Sequence, residues 1–101
     1  NPDETYAETD FADYLLDGVL AALNVVEEVS GSHKVNAAGY CVGGTLLGMA
    51  QAYLKARGDD RIASLTLLTT LFDFSEPGEV GNYMNAQMLP MIEQSVKAKG
   101  Y

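Results

Sequence analysis

The sequence predicts an α/β fold organised around one strand–helix–strand unit. Three features support this prediction: a helical pattern over residues 11–29, two apolar runs over 34–40 and 62–70, and a second helical pattern between those runs. Strands joined by a helix pair in parallel, because the helix returns the chain to the end of the sheet where the first strand began. The 101 residues can bury one modest core.

The first helix is predicted to begin after Asp10, whose side chain suits an N-cap position. Apolar residues then recur at spacings of three and four, which places them along one side of a helix. The segment Ser30-Gly31-Ser32 is predicted to end it. The apolar positions are Phe11, Tyr14, Leu15, Val19, Leu20, Leu23, Val26 and Val29.

The two apolar runs are predicted strands of different character. Residues 34–40, "KVNAAGY", are short and rich in small side chains. Residues 62–70, "IASLTLLTT", are nearly all apolar or β-branched, which is typical of a strand buried on both faces of a parallel sheet.

The helix between the runs is predicted from "GGTLLGMAQAYLKAR", and Gly58 is placed to end it. Gly48 would allow this helix to lie close against a neighbouring strand, because glycine has no Cβ. Its apolar side comprises Leu46, Leu47, Ala50, Tyr53 and Leu54.

The last part of the chain differs from the rest in its residue pattern. Residues 75–78 read as a turn, and Pro90 is expected to kink or interrupt any helix over 80–99. Two interpretations stay open: a helix whose methionine-rich side packs on its own core, or a mobile cap or partner surface. The apolar residues are Met84, Met88, Leu89, Met91, Ile92 and Val96.

Composition excludes several classes of function. The net charge of −8 argues against nucleic acid and anionic membranes as partners. No run reaches the roughly 20 apolar residues of a membrane span, and the first residues do not resemble a signal peptide. A single cysteine cannot form an internal disulfide, which fits a cytoplasmic location. Without an initiator methionine, the sequence is expected to be a piece of a longer protein.

That cysteine lies in "GYCVGG", where Gly39 and Gly43 flank Cys41 in the G-x-C-x-G pattern. The pattern is the thiol version of the nucleophile elbow, a tight strand-to-helix turn that lifts a reactive side chain above the sheet. The flanking glycines are expected to relieve crowding across the turn. A buried structural cysteine is the alternative.

The predicted turn would also favour thiol chemistry. Cys41 would lie at a helix N-terminus, where the dipole favours a thiolate, and the Val42 N–H would be one half of an oxyanion hole. A thiol exchanges acyl groups with a thioester at little cost, so Cys41 suits acyl transfer from a coenzyme A thioester to an alcohol.

The sequence supplies no evident partners for Cys41. His33 is the only histidine, and it is placed before the first strand, on the opposite edge of the sheet. Asp73 follows the second strand and could lie near the thiol, but an aspartate there is more often a cap or turn former. The catalytic base and acid are therefore expected to lie outside this sequence.

Three segments, "NPDETYAETDFADYLLDGVLAAL", "GYCVGGTLLGMA" and "ARGDDRIASLTLLTTLFDF", resemble the polyhydroxyalkanoate synthases, especially the class I, short-chain type. The resemblance implies part of an α/β-hydrolase fold, with residues 1–78 from the catalytic core and 79–101 from the start of a helical cap. It implies Cys41 as nucleophile, the Val42 amide as oxyanion donor, and Gly39, Gly43 and Gly44 as elbow glycines.

The same resemblance implies polymerisation of (R)-3-hydroxyacyl coenzyme A into polyester, without a cofactor or metal. It implies a homodimer and association with polyester granules for the longer protein, and an inactive piece here, because the family's catalytic Asp and His come from downstream sequence. A Cys-nucleophile hydrolase or thioesterase, and an inert interaction module, are the alternatives. Acyl chain length is not predicted.

Overall fold

The structure is a computed structural model that describes residues 3–83 and 86–100, without the side chain of Val80. The chain divides into two compact units: Asp10–Phe72, and Asn1–Thr9 with Asp73–Tyr101. The predicted division at residue 78 stays a prediction. Each unit is described by itself.

Helix α1 opens the first unit over residues 11–30. Asp10 caps it as predicted: its carboxylate accepts from the Asp13 N–H at 3.1 Å, and the Asp13 carboxylate accepts from the Asp10 N–H at 2.8 Å. The helix is α-helical over Phe11–Asp13, π-helical over Tyr14–Leu20 and α-helical again over Ala21–Ser30. The π-helical part was not predicted.

The predicted strand–helix–strand unit follows. Strand β1 spans Val35–Tyr40, helix α2 spans Val42–Ala56 and strand β2 spans Ile62–Leu68. The two strands pair in parallel, with Ala37 opposite Leu65 and Gly39 opposite Leu67. The pairing shifts by one residue between Val35 and Asn36. The chain is therefore a mixed α/β structure with a two-stranded parallel sheet.

Both helices cover the same face of this sheet. The core joins Leu23 of α1 to Leu47 and Leu54 of α2 and to Ile62 of β2. On the opposite face the side chains are exposed, so burial alternates along β2 and the prediction of burial on both faces is wrong for this chain. Apolar composition alone does not reveal which faces are covered. The exposed side chains are Asn36, Ala38, Tyr40, Ser64, Thr66 and Leu68.

Gly48 permits a close contact, although not with a strand. A Cβ at Gly48 would lie 2.4 Å from Cε1 of Phe72, which follows β2. The prediction of close packing is therefore confirmed, and its partner is an aromatic ring rather than a strand.

The second unit contains helix α3 over Met88–Lys99 and short 3-10 helices at Glu4–Tyr6 and Gly78–Tyr83. Pro90 lies in the first turn of α3, where its missing N–H costs nothing, so the predicted interruption is wrong. No residue of α3 is buried, which contradicts packing of its methionine side on a core of this chain. Met84 lies outside the described residues.

Across the part of the chain that the structure describes, no helix combines the length and apolar character needed to cross a membrane.

Candidate active site

Cys41 occupies a strained turn between β1 and α2. Its φ of 53° and ψ of −129° lie in a region that L-residues rarely adopt and that costs about 1–3 kcal/mol. The Cys41 N–H donates to the Leu68 carbonyl at 2.9 Å, which ties the turn to the end of β2. The thiol is exposed, so the alternative of a buried structural cysteine is wrong.

The glycines around this turn have unequal roles. A Cβ on Gly39 would lie 2.5 Å from the Gly44 Cα, so the predicted crowding at Gly39 is confirmed. A Cβ on Gly44 would lie 1.9 Å from Oγ1 of Thr70. A Cβ on Gly43 would meet no atom within 4 Å, so the prediction that Gly43 relieves a clash is wrong. The crowding crosses to Gly44 instead.

Helix α2 places backbone donors beside the thiol. Val42 is its first residue, so the Val42 N–H is among the amides that the helix itself cannot satisfy. The carbonyl of Cys41 accepts from the amides of Gly44 and Thr45 at 2.9 and 3.3 Å, which fixes the first turn. The Cys41 side chain forms no capping hydrogen bond with the first turn of α2.

Residues 69–71, directly after β2, form a wall against the first turn of α2, and this contact was not predicted from the sequence. Thr69 has a φ of 47°, which is unusual for a β-branched residue. Thr70 packs over Gly44, and the Thr45 hydroxyl donates to the Leu71 carbonyl at 2.6 Å. The sequence signal for this wall is the Thr69-Thr70 pair immediately after an apolar strand.

Comparison with known proteins bears on this arrangement. No protein-family model matches the chain. The chain is 41% identical over 101 residues to the poly(3-hydroxyalkanoate) polymerase subunit PhaC of Rhizobium meliloti (strain 1021), and 40% identical over 101 residues to the poly(3-hydroxyalkanoate) polymerase of Methylorubrum extorquens. It is 45% identical over 78 residues, or 77% of the chain, to the PhaC subunit of Cupriavidus necator.

The chain belongs to the poly(3-hydroxyalkanoate) polymerase family. It matches the first two relatives over its whole length but spans only 16% and 17% of theirs. The chain therefore corresponds to about a sixth of the length of such a polymerase.

In this member of the polymerase family, His33 lies away from Cys41, as predicted. It precedes β1, whose six residues separate it from the thiol by roughly 20 Å at about 3.3 Å per residue. Its Nδ1 lies 2.9 Å from Oε1 of Glu27, and its Nε2 lies 3.3 Å from Oδ1 of Asp60. The Glu27 hydrogen bond, with help from Asp60, raises the pKa of His33. His33 is thus a surface residue in an ionic cluster.

Asp73 behaves as a turn former, in agreement with the preferred interpretation. Its carboxylate accepts a hydrogen bond from the Ser75 N–H at 2.9 Å. Hydrogen bonds from the Ser75 side chain and backbone lower the pKa of Asp73, so the group is a carboxylate at neutral pH. Its carboxylate is therefore already used in holding this turn.

An apolar cavity is lined in part by the two residues that directly follow the candidate nucleophile. It has a volume of about 320 Å³ and lies between the first turns of α1 and α2. From the sequence, its aromatic residues are predicted only as part of the apolar side of a helix. Its lining residues are Phe11, Tyr14, Val42, Gly43 and Leu46.

Proposed function

We propose that this chain supplies the nucleophile of a polyester synthase, which joins (R)-3-hydroxyacyl groups from coenzyme A thioesters through a thioester on Cys41. The observation that carries the proposal is the exposed Cys41 thiol on a strained strand-to-helix turn, in a chain related to polymerases along its whole length. A structural cysteine would not need a left-handed backbone or an open position.

The first chemical step forms the acyl-enzyme. The Cys41 thiolate attacks the thioester carbonyl carbon, a new carbon–sulfur bond forms, and the bond to the coenzyme A sulfur breaks. The proton lost by Cys41 reaches the departing coenzyme A thiolate through a base. In this scheme the Val42 N–H, on the first turn of α2, donates to the oxyanion that develops on the carbonyl oxygen.

The second step lengthens the polyester. The 3-hydroxyl of one acyl group gives its proton to a base and attacks the carbonyl carbon of a thioester-bound chain. An ester bond forms, the bond from that carbon to sulfur breaks, and the leaving thiolate takes up the proton. No cofactor is required in this scheme, because coenzyme A enters as part of the substrate.

The proposal requires groups from a longer protein. His33 is the only histidine of the chain and lies at the other edge of the sheet, so the base must come from elsewhere. We infer that Asp10–Phe72 is part of an α/β-hydrolase core, that residues from about 79 begin a cap, and that the isolated chain is inactive. A dimeric, granule-associated polymerase in the cytoplasm fits this inference.

A chimera tests the function. These 101 residues replace the matching segment of the Rhizobium meliloti relative, and the purified chimera receives 3-hydroxybutyryl coenzyme A. We expect release of coenzyme A together with insoluble polyester. Cys41→Ala should lower the rate at least about 10³-fold, as loss of a nucleophile does elsewhere. Val29→Ala, at an exposed position of α1, is the matched control and should retain activity.

The products separate the alternatives. Free hydroxy acid without polymer would favour a thioesterase. A folded chimera that releases no coenzyme A, while the parent relative polymerises, would favour an inert module and overturn the proposal.

A further inference from the structure

The cavity beside Cys41 has the position and chemistry of a binding site. Four of its five lining residues contribute apolar side chains, and Gly43 contributes backbone. Phe11 and Tyr14 are each about half exposed at the start of α1, with relative exposures of 46% and 44%. Such a hollow, at about 320 Å³, reaches the lower end of the size range of small-molecule sites.

The cavity lies close to Cys41 because of how the two helices begin. Val42 and Gly43 follow Cys41 directly, and consecutive Cα atoms are about 3.8 Å apart. Helix α1 contributes its first turn to the same place, since Phe11 and Tyr14 lie there. This is the edge of the sheet beyond the carboxyl ends of the strands, where open α/β folds bind ligands.

We propose that this cavity holds the alkyl group carried by C3 of the acyl unit that Cys41 accepts, and that Leu46 limits the length of that group. The assignment rests on the proposed function. A group attached through sulfur to Cys41 has its chain within a few bonds of the cavity wall, and an apolar lining offers nothing to the coenzyme A phosphates.

Gly43 and Tyr14 line the cavity from different helices. A Cβ on Gly43 would meet no atom within 4 Å, so the wall nearest the thiol stands clear of other groups. Tyr14 begins the π-helical part of α1, and π-helical turns frequently occur at functional sites. Gly43 therefore contributes backbone and no side chain to the cavity wall that follows Cys41.

Substrate selectivity gives the direct test. Each methylene buried in the cavity should change kcat/KM by about four-fold. In the chimera, Leu46→Ala should raise the preference for 3-hydroxyhexanoyl over 3-hydroxybutyryl coenzyme A, and Leu46→Trp should lower it by about ten-fold. Met49→Ala, on an exposed position of α2, is the matched control and should leave the ratio unchanged. Equal ratios in all four proteins would overturn the assignment.

Thiol labelling tests the cavity without polymerisation. Cys41 is the only cysteine of the 101-residue chain, so mass spectrometry can follow its reaction with methyl and hexyl methanethiosulfonates. At Cys41, the folded chimera should favour the hexyl reagent over the methyl reagent by at least ten-fold more than the urea-unfolded chimera does. Leu46→Trp should remove this gain, and Met49→Ala should keep it.

The two experiments distinguish a failure of the proposed function from a failure of the cavity assignment. A hexyl gain that depends on residue 46, in a chimera that forms no polymer, would keep the cavity and overturn the polymerase function. Polymer formation without any hexyl gain would keep the function and overturn the cavity assignment.

Discussion

The end of β1 and the start of α2 are in contact at Gly39 and Gly44, so close that a Cβ on Gly39 would lie 2.5 Å from the Gly44 Cα. The turn at Cys41 requires this approach, because a strained residue reverses the chain between them. The obstacle is backbone, which cannot rotate away as a side chain could. The shape of the turn therefore depends on the absence of one side chain.

Gly39→Ala should destabilise the fold by about 1–3 kcal/mol, the usual cost of overpacking. Gly43→Ala, where a Cβ meets nothing within 4 Å, should be neutral or stabilising by up to about 1 kcal/mol through helix propensity. Urea unfolding of both variants in the chimera measures the difference. Equal unfolding midpoints would contradict the crowding described here.

Gly48→Ala should destabilise the fold when the Phe72 ring is present and stabilise it when the ring is removed. The ring atom Cε1 would lie 2.4 Å from the new Cβ, whereas alanine alone favours the helix by about 1 kcal/mol. A double-mutant cycle with Phe72→Ala measures this change of sign. If Gly48→Ala has the same effect in both backgrounds, the contact does not constrain α2.

Thr45→Val should lower the free energy of unfolding by about 1–2 kcal/mol. The buried Thr45 hydroxyl donates to the Leu71 carbonyl at 2.6 Å, and valine leaves that acceptor unpaired. Thr66→Val is the matched control, because Thr66 is exposed on β2 and valine suits a strand. Thermal unfolding of the two variants gives the comparison, and equal losses would count against the bond.

His33 should titrate above its usual 6.5, because the Glu27 carboxylate raises its pKa. The stabilisation from the imidazolium is fully present below pH 6.5 and is lost as pH rises through the higher pKa of the folded state. Nuclear magnetic resonance titration of the imidazole measures the midpoint. Glu27→Gln should lower that midpoint, and an unchanged value would remove Glu27 as the cause.

The isolated 101-residue chain should self-associate. Its two-stranded sheet has one uncovered face, where Tyr40 and Leu68 are paired partners with relative exposures of 70% and 53%. Sedimentation at rising concentration should give a mass above the 10.8 kDa of one chain. Tyr40→Ser with Leu68→Ser should reduce the association. A single 10.8 kDa species at high concentration would contradict the prediction.

Local sequence patterns predicted much of the fold. The helical spacing after Asp10, the stop at Gly58 and the glycines around Cys41 predicted the first unit's elements to within two residues, because caps and turns depend on neighbouring residues. The π-helical turns of α1 did not follow from spacing, since apolar positions three and four residues apart indicate a helix without indicating its type.

The candidate site, too, could be predicted only in part from the sequence. The position of Cys41 could be predicted from its flanking glycines, but the partner of Gly44 could not. Thr70 lies 26 residues away along the chain and reaches Gly44 only because the strands are parallel. The cavity has the same origin, since Phe11 and Leu46 belong to different helices.

The strand pairing shifts by one residue near Val35, at the end of the sheet farthest from Cys41. Ile62 precedes the shift, while Leu67 and Gly39 follow it in regular register. A bulge of this kind can absorb a residue gained or lost in the turn after α2. In this chain, a residue gained or lost near Asp60 would therefore leave the strand pairing next to Cys41 in register.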